Sequence, residues 1–138
     1  MAEQLLPQQT AVTALIVDDD SQIRSYIRSV LTAEKHFTHE ASSGPECIKL
    51  YTKHKPDIVF LDINMPGDDG IAVLEQLLAI EKTVYVVMVS GDSTFENVKK
   101  SIDNGAKGFI AKPFTGQKFI DAIVQLTKTI SETQTENP

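Results

Sequence analysis

Apolar residues along this chain follow two patterns that take turns: short unbroken runs, and longer stretches in which they recur at spacings of three and four. Residues 14–17, 58–61 and 84–89 are unbroken runs, the mark of strands covered on both faces. Residues 108–111 form a shorter run of this kind, and 38–41 the faintest. Between the runs the period lengthens. Ile23, Tyr26, Ile27, Val30 and Leu31 trace the inward face of a first helix; Cys47, Ile48 and Tyr51 trace that of a second. Ile71, Leu74, Leu77 and Leu78 mark a third, Phe95, Val98 and Ile102 a fourth, and Phe119, Ile120, Ile123 and Leu126 a last.

The punctuation agrees with this reading. Ser43-Gly44-Pro45-Glu46 has the form of a capping box with proline in the first turn, and Ser93 with Glu96 suggests another capped start. Gly105 is placed to close the fourth helix in the left-handed region, and 65–70 (Met-Pro-Gly-Asp-Asp-Gly) is a turn rich in breakers. Residues 1–13 read as a flexible lead-in, 14–130 as one domain, and 131–138 as a disordered polar tail. Strands alternating with helices, with runs apolar on both sides, predict an α/β protein built on a parallel sheet. In such sheets the ligand site lies beyond the carboxyl ends of the strands, where strand order reverses.

Composition removes several functions. Thirteen Lys plus Arg against 19 Asp plus Glu give a formal charge of −6 with no basic face, so direct nucleic-acid binding is not expected. Cys47 is the only cysteine, which excludes an intrachain disulfide and suits a reducing compartment. No apolar run approaches the roughly 20 residues needed to cross a bilayer. Residues 1–13 lack the basic start and apolar core of a signal peptide. A cytoplasmic location without membrane insertion is the expectation.

The residues that close the apolar runs carry the chemistry. The runs end at Asp18 and Asp19, at Asp62, at Ser90 and at Lys112. Three carboxylates at one edge repel and raise one another's pKa unless a cation joins them, and an oxygen-only set suits Mg²⁺. Lys112 offers a cation from the other side and Ser90 a hydroxyl donor, with the N–H of Gly91 and the start of the next helix as further donors. Such a site suits phosphoryl transfer, for which a carboxylate can be the nucleophile. Asp62 stands alone at its strand tip, whereas Asp18 and Asp19 are adjacent and suited to metal.

The ordered set Leu15-Ile16-Val17-Asp18-Asp19-Asp20, Phe60-Leu61-Asp62-Ile63-Asn64-Met65-Pro66, Asp69-Gly70, Val89-Ser90-Gly91 and Gly108-Phe109-Ile110-Ala111-Lys112-Pro113-Phe114 resembles the response-regulator receiver family from about residue 14 to residue 127. The resemblance implies a doubly wound, flavodoxin-like sheet of strand order 2-1-3-4-5 flanked by five helices. It implies a phosphoacceptor of two-component signalling, most simply a stand-alone regulator, that catalyses its own phosphorylation and dephosphorylation rather than acting as a conventional enzyme. Asp62 would then take the phosphoryl group from a sensor histidine kinase or a His phosphotransfer protein. Mg²⁺, or Mn²⁺ in its place, would be held by Asp19 directly, by Asp18 mainly through water, and by the backbone carbonyl of Asn64. Ser90 and Lys112 would contact the phosphoryl group, Phe109 would be the aromatic switch, and Lys112-Pro113 a cis peptide. Gly70 would be the turn glycine, and Asn64 and Asp92 would tune dephosphorylation. A protein partner would read the face formed by the fourth helix, fifth strand and fifth helix, which carries Glu96, Lys99, Lys100, Asp103, Lys107 and Lys118.

Other readings compete with these. Asp20 and Asp68 serve equally as turn formers or caps, and Phe109 as plain core. His36, His39 and His54 show no metal-ligand arrangement and read as surface or boundary residues; Cys47 and Tyr51 read as packing. An aspartate-nucleophile phosphohydrolase would want a second acid two residues after Asp62, where Asn64 stands. A dinucleotide binder would need glycines where Asp18-Asp19-Asp20 stands. A receiver degenerated into a docking module is disfavoured by the intact acid, hydroxyl and lysine set.

Overall fold

The structure, a computed structural model, describes residues 10–136. Its elements run β1 (Thr13–Val17), α1 (Ser21–Ala33), β2 (Phe37–Ala41), α2 (Gly44–His54), β3 (Ile58–Asp62), β4 (Asn64–Met65), β5 (Asp68–Asp69), α3 (Gly70–Ile80), β6 (Val86–Ser90), α4 (Phe95–Asp103), β7 (Gly108–Ala111) and α5 (Gly116–Glu136). Five strands form one parallel sheet in the order β2-β1-β3-β6-β7. This is the expected 2-1-3-4-5 order once β4 and β5 are set aside. Those two short strands pair antiparallel with each other, so the breaker-rich turn is a small hairpin.

Period-two alternation explains why the strands read as unbroken apolar runs. Leu15, Val17, Val59 and Leu61 pack with Cys47, Tyr51, Leu74 and Leu77 of α2 and α3. Their neighbours Ala14, Ile16, Ile58 and Phe60 pack on the other face with Ile27, Leu31, Phe119 and Ile123 of α1 and α5. Phe119 meets Phe60 and Phe114 edge-on at 5.1 and 4.9 Å.

Local signals set several helix starts. Ser43 caps α2 by accepting from the N–H of Glu46 at 3.3 Å, with proline in the first turn. Glu46 returns its carboxylate to the N–H of Ser42 at 2.7 Å, one residue before the position a capping box would use. Asp20 caps α1 and Asp69 caps α3. Gly105 takes φ +107°, the left-handed closure expected after α4.

Several expectations need correction. The cap of α4 is Thr94 rather than Ser93, its hydroxyl accepting from the N–H of Asn97. Phe95 and Ile102 do not face the core: they are 79% and 45% exposed, while Ser101 is fully buried and Val98 partly so. At 100° per residue the apolar stripe of α4 is turned about a quarter turn away from the side that meets the sheet. Tyr26 of α1 is likewise exposed. His36 is buried rather than at the boundary, because its Nδ1 accepts the N–H of Val12 at 3.1 Å. Burial holds its pKa below the ordinary histidine value, against a smaller upward pull from Glu34. His39 and His54 stack on each other at 3.8 Å.

The lead-in ends earlier than expected, since Val12 is buried and Thr13 already belongs to β1; the remainder of that reading, residues 1–9, lies outside the described residues. The tail is not disordered from 131, because the backbone of α5 continues to Glu136. Glu and Gln are good helix formers, and no glycine or proline interrupts before Pro138. Residues 137–138 lie outside the described residues.

One glycine is fixed by close approach. A Cβ on Gly70 would lie 2.5 Å from the Cα of Ile63 and 2.6 Å from the carbonyl oxygen of Asp62, both backbone atoms. Around Gly91 nothing lies within 4 Å. Gly70→Ala is therefore expected to cost about 1–3 kcal/mol in urea denaturation, and Gly91→Ala less than about 0.5 kcal/mol. Equal midpoints for the two variants would contradict the contact.

Candidate functional site

Parallel strands bring their carboxyl ends to one edge, and the crevice there opens between β1 and β3, where the strand order reverses. Val17 lies beside Leu61, Asp62 beside Val89 and Ser90 beside Ala111, so Asp18, Asp62, Ser90 and Lys112 arrive at one level. The loops are tied across the same edge. The N–H of Ile63 donates to Val89 O at 3.1 Å, and that of Lys112 to Ser90 O at 2.9 Å.

Carboxylate oxygens of Asp18, Asp19 and Asp62 lie within 4.8 Å of one another. Asp18 and Asp62 are buried and Asp19 is exposed. Lys112 Nζ stands 3.3 Å from Asp18 Oδ2 and 3.6 Å from Asp62 Oδ2. One lysine cannot compensate three acids, and the carboxyl of Asp62 is pushed up to about 6. Burial is the largest cause and the charge of Asp18 the next; Lys112 and the backbone N–H of Asn64 pull downward, and Asp19 adds a smaller upward push.

The remaining predicted residues surround this cluster. The N–H of Asn64 donates to Asp62 Oδ1 at 3.2 Å, and its side-chain amide is 3.5 Å from Ser90 Oγ. Ser90 is fully buried, and its Oγ also accepts the N–H of Asp92 at 3.0 Å. Asp92 thus meets Ser90 through its backbone, while its carboxylate turns to the N–H of Thr94. Gly91 is exposed, and α4 begins only after Thr94, so the helix start is set back from the strand edge. Phe109 is half-buried against the core on β7, beside Met88. Lys112-Pro113 is cis. Asp20 has its carboxylate on the N–H of Gln22, away from the acidic cluster, and Asp68 accepts from the N–H of Gly44. On the expected partner face Glu96, Lys99, Lys100, Asp103, Lys107 and Lys118 are all exposed, with Lys99 paired to Asp103 at 2.6 Å.

Two residues of this neighbourhood escaped the sequence reading. Arg24 Nη1 donates to the carbonyl oxygen of Asp18 at 2.6 Å, and Arg24 Nε to Glu40 at 3.1 Å. The one signal in the sequence was a pair of arginines, Arg24 and Arg28, flanking the apolar stripe of α1.

An oxygen-only donor set with one exposed member fits a small hard cation that keeps part of its water shell. Burial first, and then the charge of Asp18 that Lys112 only partly offsets, raise the carboxyl of Asp62.

Because that carboxyl lies above the ordinary value of 3.8, the folded state holds its proton to higher pH than the unfolded chain does. Its contribution to stability is therefore intact below about pH 4 and lost as pH rises through about 6. In chelator, Asp62→Asn should be more stable than the parent by on the order of 1–3 kcal/mol at pH 7.5, with the gain shrinking toward pH 4. Urea unfolding at both pH values checks this; a gain that grows on acidification would contradict it.

Comparison with known proteins bears on the chain as a whole. The response regulator receiver domain profile matches residues 14–124. The chain is similar to Chemotaxis protein CheY of Halobacterium salinarum, with 34% identity over 82% of this chain and 94% of that protein. It is similar to Sporulation initiation phosphotransferase F of Bacillus subtilis, at 33% identity over 79% of this chain and 88% of that one. Among solved structures, the CheX-CheY-BeF3-Mg+2 complex from Borrelia burgdorferi matches with a TM-score of 0.79 at 32% identity, covering 83% of this chain and 87% of the matched one.

Proposed function

The chain belongs to the response regulator receiver family, phosphoacceptors of two-component signal transduction, and we propose that Asp62 is the residue that takes the phosphoryl group. The observation that carries this reading is the setting of Asp62: buried at a strand tip, 3.6 Å from Lys112 Nζ, with the oxygens of Asp18 and Asp19 inside the same 4.8 Å cluster. The folded unit runs from Val12 to Glu136 and works in the cytoplasm. No helix among the described residues is long and apolar enough to cross a membrane.

The donor is a phosphohistidine of a sensor histidine kinase or a His phosphotransfer protein. An oxygen of Asp62 attacks phosphorus, the P–N bond breaks, and its electron pair stays on the imidazole. Asp18, Asp19 and the backbone carbonyl of Asn64 would hold Mg²⁺, with Mn²⁺ able to substitute. When bound, the ion supplies a positive charge against the transferring group. Lys112, whose Nζ lies beside oxygens of Asp18 and Asp62, meets the phosphoryl oxygens. Ser90, whose Oγ accepts from the Asn64 side-chain amide and the Asp92 N–H, has its hydroxyl hydrogen to give to a phosphoryl oxygen. Hydrolysis returns the carboxylate, and Asn64 and Asp92, on either side of the path to Asp62, tune the approach of water.

The signal leaves through a protein contact. Drawing Ser90 toward the phosphoryl group gives Phe109, half-buried on the neighbouring strand, room to turn inward. The face of α4, β7 and α5 changes with it. Its mixed charges and the exposed Phe95 and Ile102 suit another protein rather than nucleic acid.

Two outcomes test this reading. With acetyl phosphate and Mg²⁺, intact mass should rise by one phosphoryl group; chelator or Asp62→Asn should abolish the gain, and Asn64→Leu or Asp92→Leu should change its decay rate severalfold. An undiminished adduct on Asp62→Asn would remove the assignment. Separately, Ser90→Ala should keep some adduct yet lose most amide shifts around Phe109 and residues 99–107. Wild-type shifts confined to the loops at Asp18, Asp62 and Lys112 would exclude the output face.

A further inference from the structure

Asp18 has every polar atom engaged. Its N–H donates to Ala41 O at 3.1 Å, Oδ1 accepts the N–H of Asp20 at 2.9 Å, and Oδ2 faces Lys112 at 3.3 Å. Its carbonyl oxygen takes a charged donor, Arg24 Nη1, at 2.6 Å. Asp19 is the opposite case: it is exposed, and its carboxylate has no hydrogen-bond or ion-pair partner among the described residues. Where that carboxylate sits depends on the backbone that leads into it. The carbonyl gripped by Arg24 belongs to the peptide joining Asp18 to Asp19, so fixing its plane fixes the direction in which Asp19 departs.

The grip is itself anchored. Arg24 lies in the first turn of α1 with only 17% of its side chain exposed, and its Nε donates to Glu40 Oε1 on β2 at 3.1 Å. A guanidinium is a rigid planar fork, so its arm on Glu40 sets the position of its arm on Asp18. Arg28 shares Glu40, at 2.9 Å to Oε2, but is half exposed and its hydrogen bonds reach no atom of Asp18. An ion pair serving only to tie α1 to β2 would need no contact with a strand-end carbonyl. With Glu40 taking up its charge, Arg24 acts on the acidic edge through geometry more than through field.

We infer that Arg24 is a positioning residue for the acidic edge, holding the Asp18–Asp19 peptide so that both carboxylates converge on one cation. The inference rests on the reading of that edge as a metal-assisted phosphoacceptor site. Groups that orient metal-bound carboxylates typically change metal affinity by tenfold or more when removed.

The test uses the full 138-residue chain. Mg²⁺ is titrated by calorimetry, and acetyl phosphate adduct formation is followed as a function of Mg²⁺. Arg24→Met should raise the half-saturating Mg²⁺ by about tenfold, while the rate at saturating Mg²⁺ stays within about twofold of the parent. Arg28→Met, which loses the same partner glutamate but no contact to Asp18, should match the parent in both. If Arg24→Met does not fold, Glu40→Gln, which keeps the arginine and loosens its anchor, should shift the half-saturation in the same direction by less. Mg²⁺ affinity within twofold of the parent in the folded Arg24→Met, or an equal loss in Arg28→Met, overturns the inference. A parent protein that takes neither Mg²⁺ nor an adduct would instead overturn the reading of the edge.

Discussion

Repulsion among three carboxylates gathered at one sheet edge, answered by a single lysine, is the constraint around which the rest of the protein is arranged. Two unit charges about 4 Å apart at an effective dielectric near 20 oppose each other by on the order of 4 kcal/mol. Asp18 and Asp62 cannot relieve this by moving apart, because one follows β1 and the other closes the adjacent parallel strand β3, and both are buried. Nor can they turn to water, since each has an oxygen bound by a backbone N–H, from Asp20 and Asn64 respectively. The charge is held in place at the edge.

Holding it requires a sheet that does not yield, and the two-sided core provides that. Leu61 packs on one layer of helices and Phe60 on the other, so the strand that ends in Asp62 is gripped from both faces. Gly70 lets the chain after β5 return against the backbone of Asp62 and Ile63, its N–H donating to Ile63 O at 2.8 Å. Arg24 and Glu40 brace the edge from outside in the same way, joining α1, β2 and the end of β1 through one guanidinium. The site is stiff because its supports lie on different elements.

The acids, the serine and the lysine were legible in the sequence because each closes an apolar run, and a parallel sheet turns that local pattern into a shared edge. The caps at Ser43 and Gly105 were legible for similar reasons, being set by a few consecutive residues, whereas the sheet order followed from the family resemblance. Features that depend on how elements dock were not. Periodicity groups Phe95, Val98 and Ile102 on one stripe but does not say which flank of it meets the sheet, and the sheet takes the side of Val98 and Ser101. His36 is buried through a bond to Val12, far from it in sequence, and Arg24 reads as an ordinary surface arginine until Asp18 and Glu40 are brought beside it. The polar composition after Ser131 suggested disorder, yet polar residues without glycine or proline continue a helix.

The quarter-turn offset of α4 has an evolutionary consequence. Residues committed to a core are restrained by every neighbour they touch, whereas Phe95 and Ile102 project from a helix whose own anchoring rests on Val98, Ser101 and the following Ala106. Exchanges at exposed positions of this kind usually change folding free energy by less than about 0.5 kcal/mol. Exchanges at these two side chains can therefore accumulate while the acidic edge and its buried supports stay as they are. The helix separates what must be kept for chemistry from what is free to drift.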